Sequence, residues 1–280
     1  MSCAETQTRA QAADQEVVNL FAFVDTGRQL TWRGLETGAA EPPPTLHVSG
    51  GIAAVIGMVP LDDYCGAEAA RNLADVEWLA PRAGRHAAIL REAMLEATVF
   101  PAPFGTLFAS LDSLTGFMAT HEAAIRGFLE DVADKQEWGI KVAARLDDHD
   151  LLEAQAAKTW PDWAALTPGV RYMRLCRDRP KLMSLARSQM ADDAAAAVGS
   201  LAPPAVAVRR LEGARASGDG SEHLIASFAL LAPKADGATL GEAAGKLGAT
   251  LAPLGMAISM TGPWPPFSFR PDLHPPPNEP

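Results

Sequence analysis

Apolar residues follow two rhythms along this chain, and the switches between them mark its elements. Residues 17–25 (VVNLFAFVD) are rich in β-branched and aromatic side chains and predict a buried strand. Residues 45–49 and 52–59 flank Gly50-Gly51 and predict a hairpin. A three-to-four-residue spacing follows. Ala83, His86, Leu90, Met94 and Ala97 share one face of a predicted helix. Residues 100–108 (FPAPFGTLF) start extended, because Pro101 and Pro103 push their preceding residues out of the α region. Leu111, Leu114, Phe117, Met118, His121, Ile125, Phe128 and Val132 then line a long amphipathic helix, with Thr120 as the place where a break would fall.

The second half has a clearer order. Residues 137–146 (EWGIKVAARL) alternate and read as a strand. Thr167-Pro168 reads as a helix start, and the helical pattern runs to about Val198 with Pro180 as a kink or break. Residues 205–213 and 223–232 are strands around a Gly/Ser/Asp turn at 216–221. Thr239-Leu-Gly-Glu242 has the pattern of a capping box, opening a helix with a stripe at Leu240, Ala244, Leu247, Leu251 and Leu254. Gly255 stops it, and residues 256–260 form the last strand.

This β-α-β-β-α-β order predicts a ferredoxin-like α+β domain over residues 137–269, with both helices on one face of an antiparallel sheet. Residues 17–136 predict a modified α+β domain of the same kind. Residues 1–16 read as disordered, and residues 270–280 as a Pro-rich tail.

Composition narrows the function. The chain has 280 residues and a net charge of −10, so it repels phosphate backbones; nucleic acid is excluded as an expected partner. The basic stretch 171–181 is interrupted by Asp178 and Pro180 and reads as a solvated helix face. Cys3, Cys65 and Cys176 form no disulfide or zinc pattern, which fits a reducing, cytoplasmic setting. The polar start does not resemble a signal peptide. No apolar run approaches the roughly 20 residues that span a lipid membrane.

Catalytic patterns are weak. The run 241–246 (GEAAGK) is one residue short of a phosphate loop and sits inside a predicted helix. Asp147-Asp148-His149-Asp150 reads as a capping turn rather than a metal site, because adjacent side chains diverge. His86 and His121 lie on apolar faces and read as core or boundary residues. Trp160 and Trp163 bracket a turn and read as a local cluster. No cofactor is expected.

Rigid Pro/aromatic segments stand out instead, above all residues 262–269 (GPWPPFSF). Their prolines leave little conformational entropy to lose on docking, which suits recognition. Equally, they could pack at home as rigid strand ends. The 262–269 segment is expected to be stiff and extended, presenting Trp264, Phe267 and Phe269 to a groove.

At this point the chain resembles the gas vesicle GvpL/GvpF family over roughly residues 17–270. The matching segments occur in family order: VVNLFAFVD, AAVIGMVP, His86 on its helix, FPAPFGTLF against "lPlrFGtvf", EWGIKV against "EWgvKv", and GPWPPFSF against "GPWPPYSF". Tyr172-Met-Arg-Leu-Cys-Arg stands where the family has a "YL..K" helix start, so its lysine contacts are not carried over.

The resemblance implies a two-domain α+β fold and a non-enzymatic role in the cytoplasm, at the gas vesicle. The implied partners are the hydrophobic gas vesicle shell protein and other gas vesicle accessory proteins, bound during nucleation and assembly. Trp264, Pro265, Pro266, Phe267 and Phe269 are the first candidates for a partner groove or a lock between domains. Phe104, Gly105 and Thr106 come second, and Trp138 is grouped with the first as the aromatic at the start of its strand. Two other readings stay open: a small-molecule regulatory module, and an enzyme with a site around His86 or His121.

Overall fold

The computed structural model describes residues 16–27, 30–32, 42–212 and 222–273. The expected disordered start, most of the 26–44 loop, the 216–221 turn and most of the tail lie outside them. The chain forms two compact units, one running to Asp134 and resuming at Pro265, the other spanning Lys135–Trp264. Each is α+β, with an antiparallel sheet and its own helices.

The first sheet contains β1 (Glu16–Asp25), β2 (Thr45–Ser49), β3 (Ile52–Pro60), β4 (Val99–Pro101) and β5 (Leu107–Phe108), in the order β2-β3-β1-β4, with β5 also pairing with β1. Gly50 turns the β2–β3 hairpin at φ +61°, a conformation that favours glycine. β1 is buried from Val17 to Val24 because it is central and covered on both faces. A bulge explains how it serves both. Leu20 pairs with Ile56 and Ala22 with Val55, leaving Phe21 as the extra residue. Phe21 and Ala22 therefore both join Ile89, Leu90 and Ala93 of the helix Val76–Glu96. Phe23 turns the other way, 6.2 Å from the Phe117 ring of the helix Leu111–Asp131 and 6.0 Å from Phe100. Gly57 makes room for the bulge, since a Cβ there would lie 3.2 Å from the Phe21 ring.

Short helices α1 (Leu61–Tyr64) and α2 (Gly66–Ala74) lead into α3 (Val76–Glu96), which Asp75 caps by accepting from the Glu77 amide. A reciprocal Ser110–Ser113 capping box opens α4 (Leu111–Asp131). α4 runs unbroken through Thr120, whose hydroxyl donates to the Gly116 carbonyl within the helix. Leu111 departs from the predicted stripe and is exposed, while Leu114, Met118, Ile125 and Phe128 are buried.

The second unit runs β6 (Lys135–Ala144), α5 (His149–Thr159), α6 (Pro168–Gly199), β7 (Ala207–Leu211), β8 (His223–Pro233), α7 (Gly237–Leu251) and β9 (Met256–Trp264). Its strand order is β7-β8-β6-β9, every pair antiparallel. Ile140, Val142, Phe228 and Leu230 meet Ala186, Met190, Ala194 and Val198 of α6, and Leu240, Ala244, Leu247 and Leu251 of α7, in one core.

Four expectations are corrected here. α5 is a helix that the sequence reading left out; the 147–150 turn caps it, with Asp148 accepting from the Leu151 amide. α6 continues through Pro180 without a break; that proline and Cys176, whose carbonyl loses its helical partner, both lie on the exposed side of the helix. α7 begins at Gly237, so Thr239 lies within its first turn and caps nothing. Leu254 is exposed, beyond the end of the buried stripe.

Candidate functional site

The closing segment divides at Trp264. Gly262, Pro263 and Trp264 are the end of β9, an edge strand, which is where a sheet tolerates proline. Glu137 pairs with Trp264 and Gly139 with Thr261, so β9 carries an extra residue beside the start of β6. Gly262 is required there. It has φ +132°, and a Cβ would lie 2.9 Å from the Trp138 ring and 3.0 Å from the Glu137 carbonyl oxygen. Gly237 approaches the same indole from the start of α7, where a Cβ would stand 3.2 Å from it. Trp138 is thus held between two glycine backbones, beside the closing strand. Trp264 itself is 48% exposed, and its indole N–H donates to the Thr261 hydroxyl at 3.2 Å. It is not a core residue of this chain.

Beyond Trp264 the backbone leaves the extended form, contrary to expectation. The Phe267 amide donates to the Pro265 carbonyl at 2.7 Å, an inverse γ-turn about Pro266, and the Phe269 amide donates to the Pro266 carbonyl at 3.3 Å, closing a 3₁₀ turn. Pro265 and Pro266 are buried and Phe267 is half-buried. Phe267 packs on the cluster formed by β1, β3 and α3 in the first unit. The segment therefore holds one exposed aromatic and one anchored aromatic.

The second candidate group makes a turn in the first unit. Gly105 has φ +77°, Thr106 donates through its amide and hydroxyl to the Pro103 carbonyl at 3.2 and 2.7 Å, and the Thr106 carbonyl accepts from the Leu20 amide. Phe104 joins a ladder of rings the sequence did not announce. It runs from Phe21 to His86 (5.4 Å), Phe104 (5.7 Å), Tyr64 (6.4 Å) and Trp78 (5.3 Å), with Arg82 stacked 4.1 Å over Trp78. Tyr64 and Trp78 were missed because neither lies in a Pro/aromatic run; only their proximity in the fold marks them.

His86 is buried, and its Nε2 donates to the Ala102 carbonyl at 3.0 Å, which fixes the tautomer of the neutral ring. Desolvation lowers its pKa below the usual histidine value, and the bond to Ala102 offsets this in part. His121 lies against Phe117 at 4.4 Å. Asp148 caps α5 and His149 reaches toward Glu153, so the 147–150 turn is structural. Trp160 and Trp163 form the local cluster expected, 5.4 Å apart. Among the described residues, no three His, Cys, Asp or Glu side chains are grouped to hold a metal ion, and no helix is long and apolar enough to cross a membrane.

Comparison with known proteins matches residues 10–271 to the family described as "Gas vesicle synthesis protein GvpL/GvpF". The chain is 29% identical over 289 residues to gas vesicle protein L2 of Halobacterium salinarum, covering 98% of this chain and 97% of that protein. It is 30% identical over 108 residues to gas vesicle protein L of a Streptomyces species, covering 38% and 40%. Two crystal structures share the fold at 14% identity. They are GvpF of Anabaena sp. PCC7120, with TM-score 0.64 and coverage of 92% of this chain and 98% of that one, and GvpF of Microcystis aeruginosa, with TM-score 0.61 and coverage of 91% and 99%.

Proposed function

The chain belongs to the GvpL/GvpF family of gas vesicle synthesis proteins, and from that premise we propose that it is a non-catalytic assembly factor. It binds the hydrophobic shell protein and other accessory proteins in the cytoplasm while the vesicle is nucleated and grown. A wall built from a very apolar small protein poses a physical problem: before assembly, that protein exposes a large apolar patch and tends to aggregate. Stoichiometric masking or positioning of the patch answers it without chemistry.

The observation that carries the reading is the half-exposed Trp264 at the end of an edge strand. Its neighbours are fixed: Gly262 is wedged against Trp138, and Pro265 and Pro266 are buried. An amphipathic ring on a stiff support is a favourable interface anchor, because little freedom is lost on docking. Phe104–Thr106 is assigned a supporting role, holding Phe104 in the ring ladder. The strand order β7-β8-β6-β9 and the placement of α6 and α7 in one core support a ferredoxin-like reading of the second unit.

Capture of purified shell protein by the tagged chain tests the proposal. Trp264→Ala should fold normally and capture markedly less shell protein. Capture equal to wild type by the folded variant removes Trp264 from the interface.

A further inference from the structure

Helix α6 changes partners along its length. From Ala186 onward it packs on the sheet core. Before that, Leu175 and Leu182 pack with Leu152 and Ala156 of α5 and with Trp163, in a separate small core. Arginines tie this helical arm together. Arg174 pairs with Asp162 at 2.9 Å and stacks 4.2 Å over Trp160, while Arg171 donates to the Ala164 carbonyl at 2.7 Å.

The outward face of the same stretch is the unusual part. A helix that buries one apolar stripe ordinarily turns polar residues to solvent. Here Tyr172, Cys176 and Pro180 form an i, i+4, i+8 row with Met173 beside it at i, i+3 from Cys176, and all four are exposed. Tyr172 and Met173 are 64% and 68% exposed, and Val170 extends the stripe toward the helix start. Arg179 and Lys181 border it, together with Arg177, which also pairs with Asp178 at 2.8 Å. Residues 171–181 hold five basic side chains against one acidic, in a chain of net charge −10. None of the stripe residues belongs to the arm's own core.

We propose that this stripe is the docking surface for an amphipathic helix of a partner protein, one whose apolar stripe is flanked by carboxylates. The spacing of Tyr172, Met173, Cys176 and Pro180 suits helix-against-helix anchoring, and the basic border selects acidic flanks. A second copy docked stripe to stripe would oppose like borders of Arg179 and Lys181. An anionic membrane would have to accept a chain that is acidic overall. The surface is separate from Trp264, so loss of binding here leaves the Trp264 reading untouched, and the reverse.

The test titrates the full chain into a fluorescein-labelled synthetic helix carrying a leucine stripe flanked by glutamates, read by anisotropy. Saturable binding is expected. The Tyr172→Ser, Met173→Ser double variant should weaken it about tenfold or more. Arg177→Glu, Lys181→Glu should weaken it for the glutamate peptide and create affinity for the same peptide flanked by lysines. Circular dichroism verifies that both variants, altered only at exposed positions, keep the fold. Four results would each overturn the proposal: no saturable binding by the wild-type chain, equal binding by wild type and variants, no charge preference between the two peptides, or binding to phosphatidylserine vesicles without binding to the peptide.

Discussion

At the residue scale, His86 and Gly262 carry the clearest consequences. His86 is buried as a neutral ring with its pKa held below the ordinary value of about 6.5. The unfolded chain therefore takes up this proton first as pH falls. The contribution to stability is intact above about pH 6.5 and is lost on acidification toward the lower folded pKa. Urea unfolding at pH 7.5 and pH 5.5 should show that His86→Gln loses less stability than wild type over that interval. Equal losses would mean that His86 is not the group responsible. Gly262→Ala should destabilise by about 2–4 kcal/mol, since the new Cβ meets both a ring and a carbonyl at a backbone angle that disfavours it. Thermal unfolding reads this directly. The burial of His86 was legible in its place on an apolar stripe. The roles of Gly57, Gly237 and Gly262 were not, because each is set by an aromatic ring arriving from another element.

At the scale of elements, local chemistry was readable and tertiary compensation was not. The Gly50-Gly51 hairpin, the 147–150 cap and the stop at Gly255 depend on neighbouring residues, and the structure has all three. Pro180 and Thr120 looked like breaks because sequence alone does not show which side of a helix faces water. α5 escaped because its buried positions, Leu152 and Ala156, are too few to mark a stripe; they gain their meaning from Trp163 and α6. Pro180→Ala restores a backbone bond on the exposed side of α6 and should stabilise the protein by about 1–2 kcal/mol, after allowing for the looser unfolded chain. Denaturant unfolding followed at the helical signal is the measurement, and a destabilised variant would show that the proline is required where it stands. Phe267→Ala removes a half-buried ring from the first unit's core and should cost about 1–3 kcal/mol. Trp264→Ala, by contrast, should leave stability nearly unchanged.

At the scale of the whole molecule, the chain crosses between its two units twice, after Asp134 and after Trp264, and β6 and β9 place those crossings on neighbouring strands. The division of GPWPPFSF follows from this. Its first three residues complete one sheet, and its 3₁₀ turn belongs with the other unit. A linear motif does not reveal such a division, because it reads as one continuous stretch. The family was legible in the ordered set of short segments and the match over residues 10–271 bears it out. Family membership points to other gas vesicle proteins as the partner class, and the exposed Trp264 and the α6 stripe are the two distinct surfaces we propose for it.

Light scattering by shell protein diluted from denaturant, with increasing amounts of the full chain, tests the central claim most directly. The account predicts that scattering falls in proportion to added chain and that protection saturates near equimolar amounts, with Trp264→Ala protecting less. Scattering that is unaffected by the chain, or abolished by catalytic traces of it, would contradict a stoichiometric assembly factor.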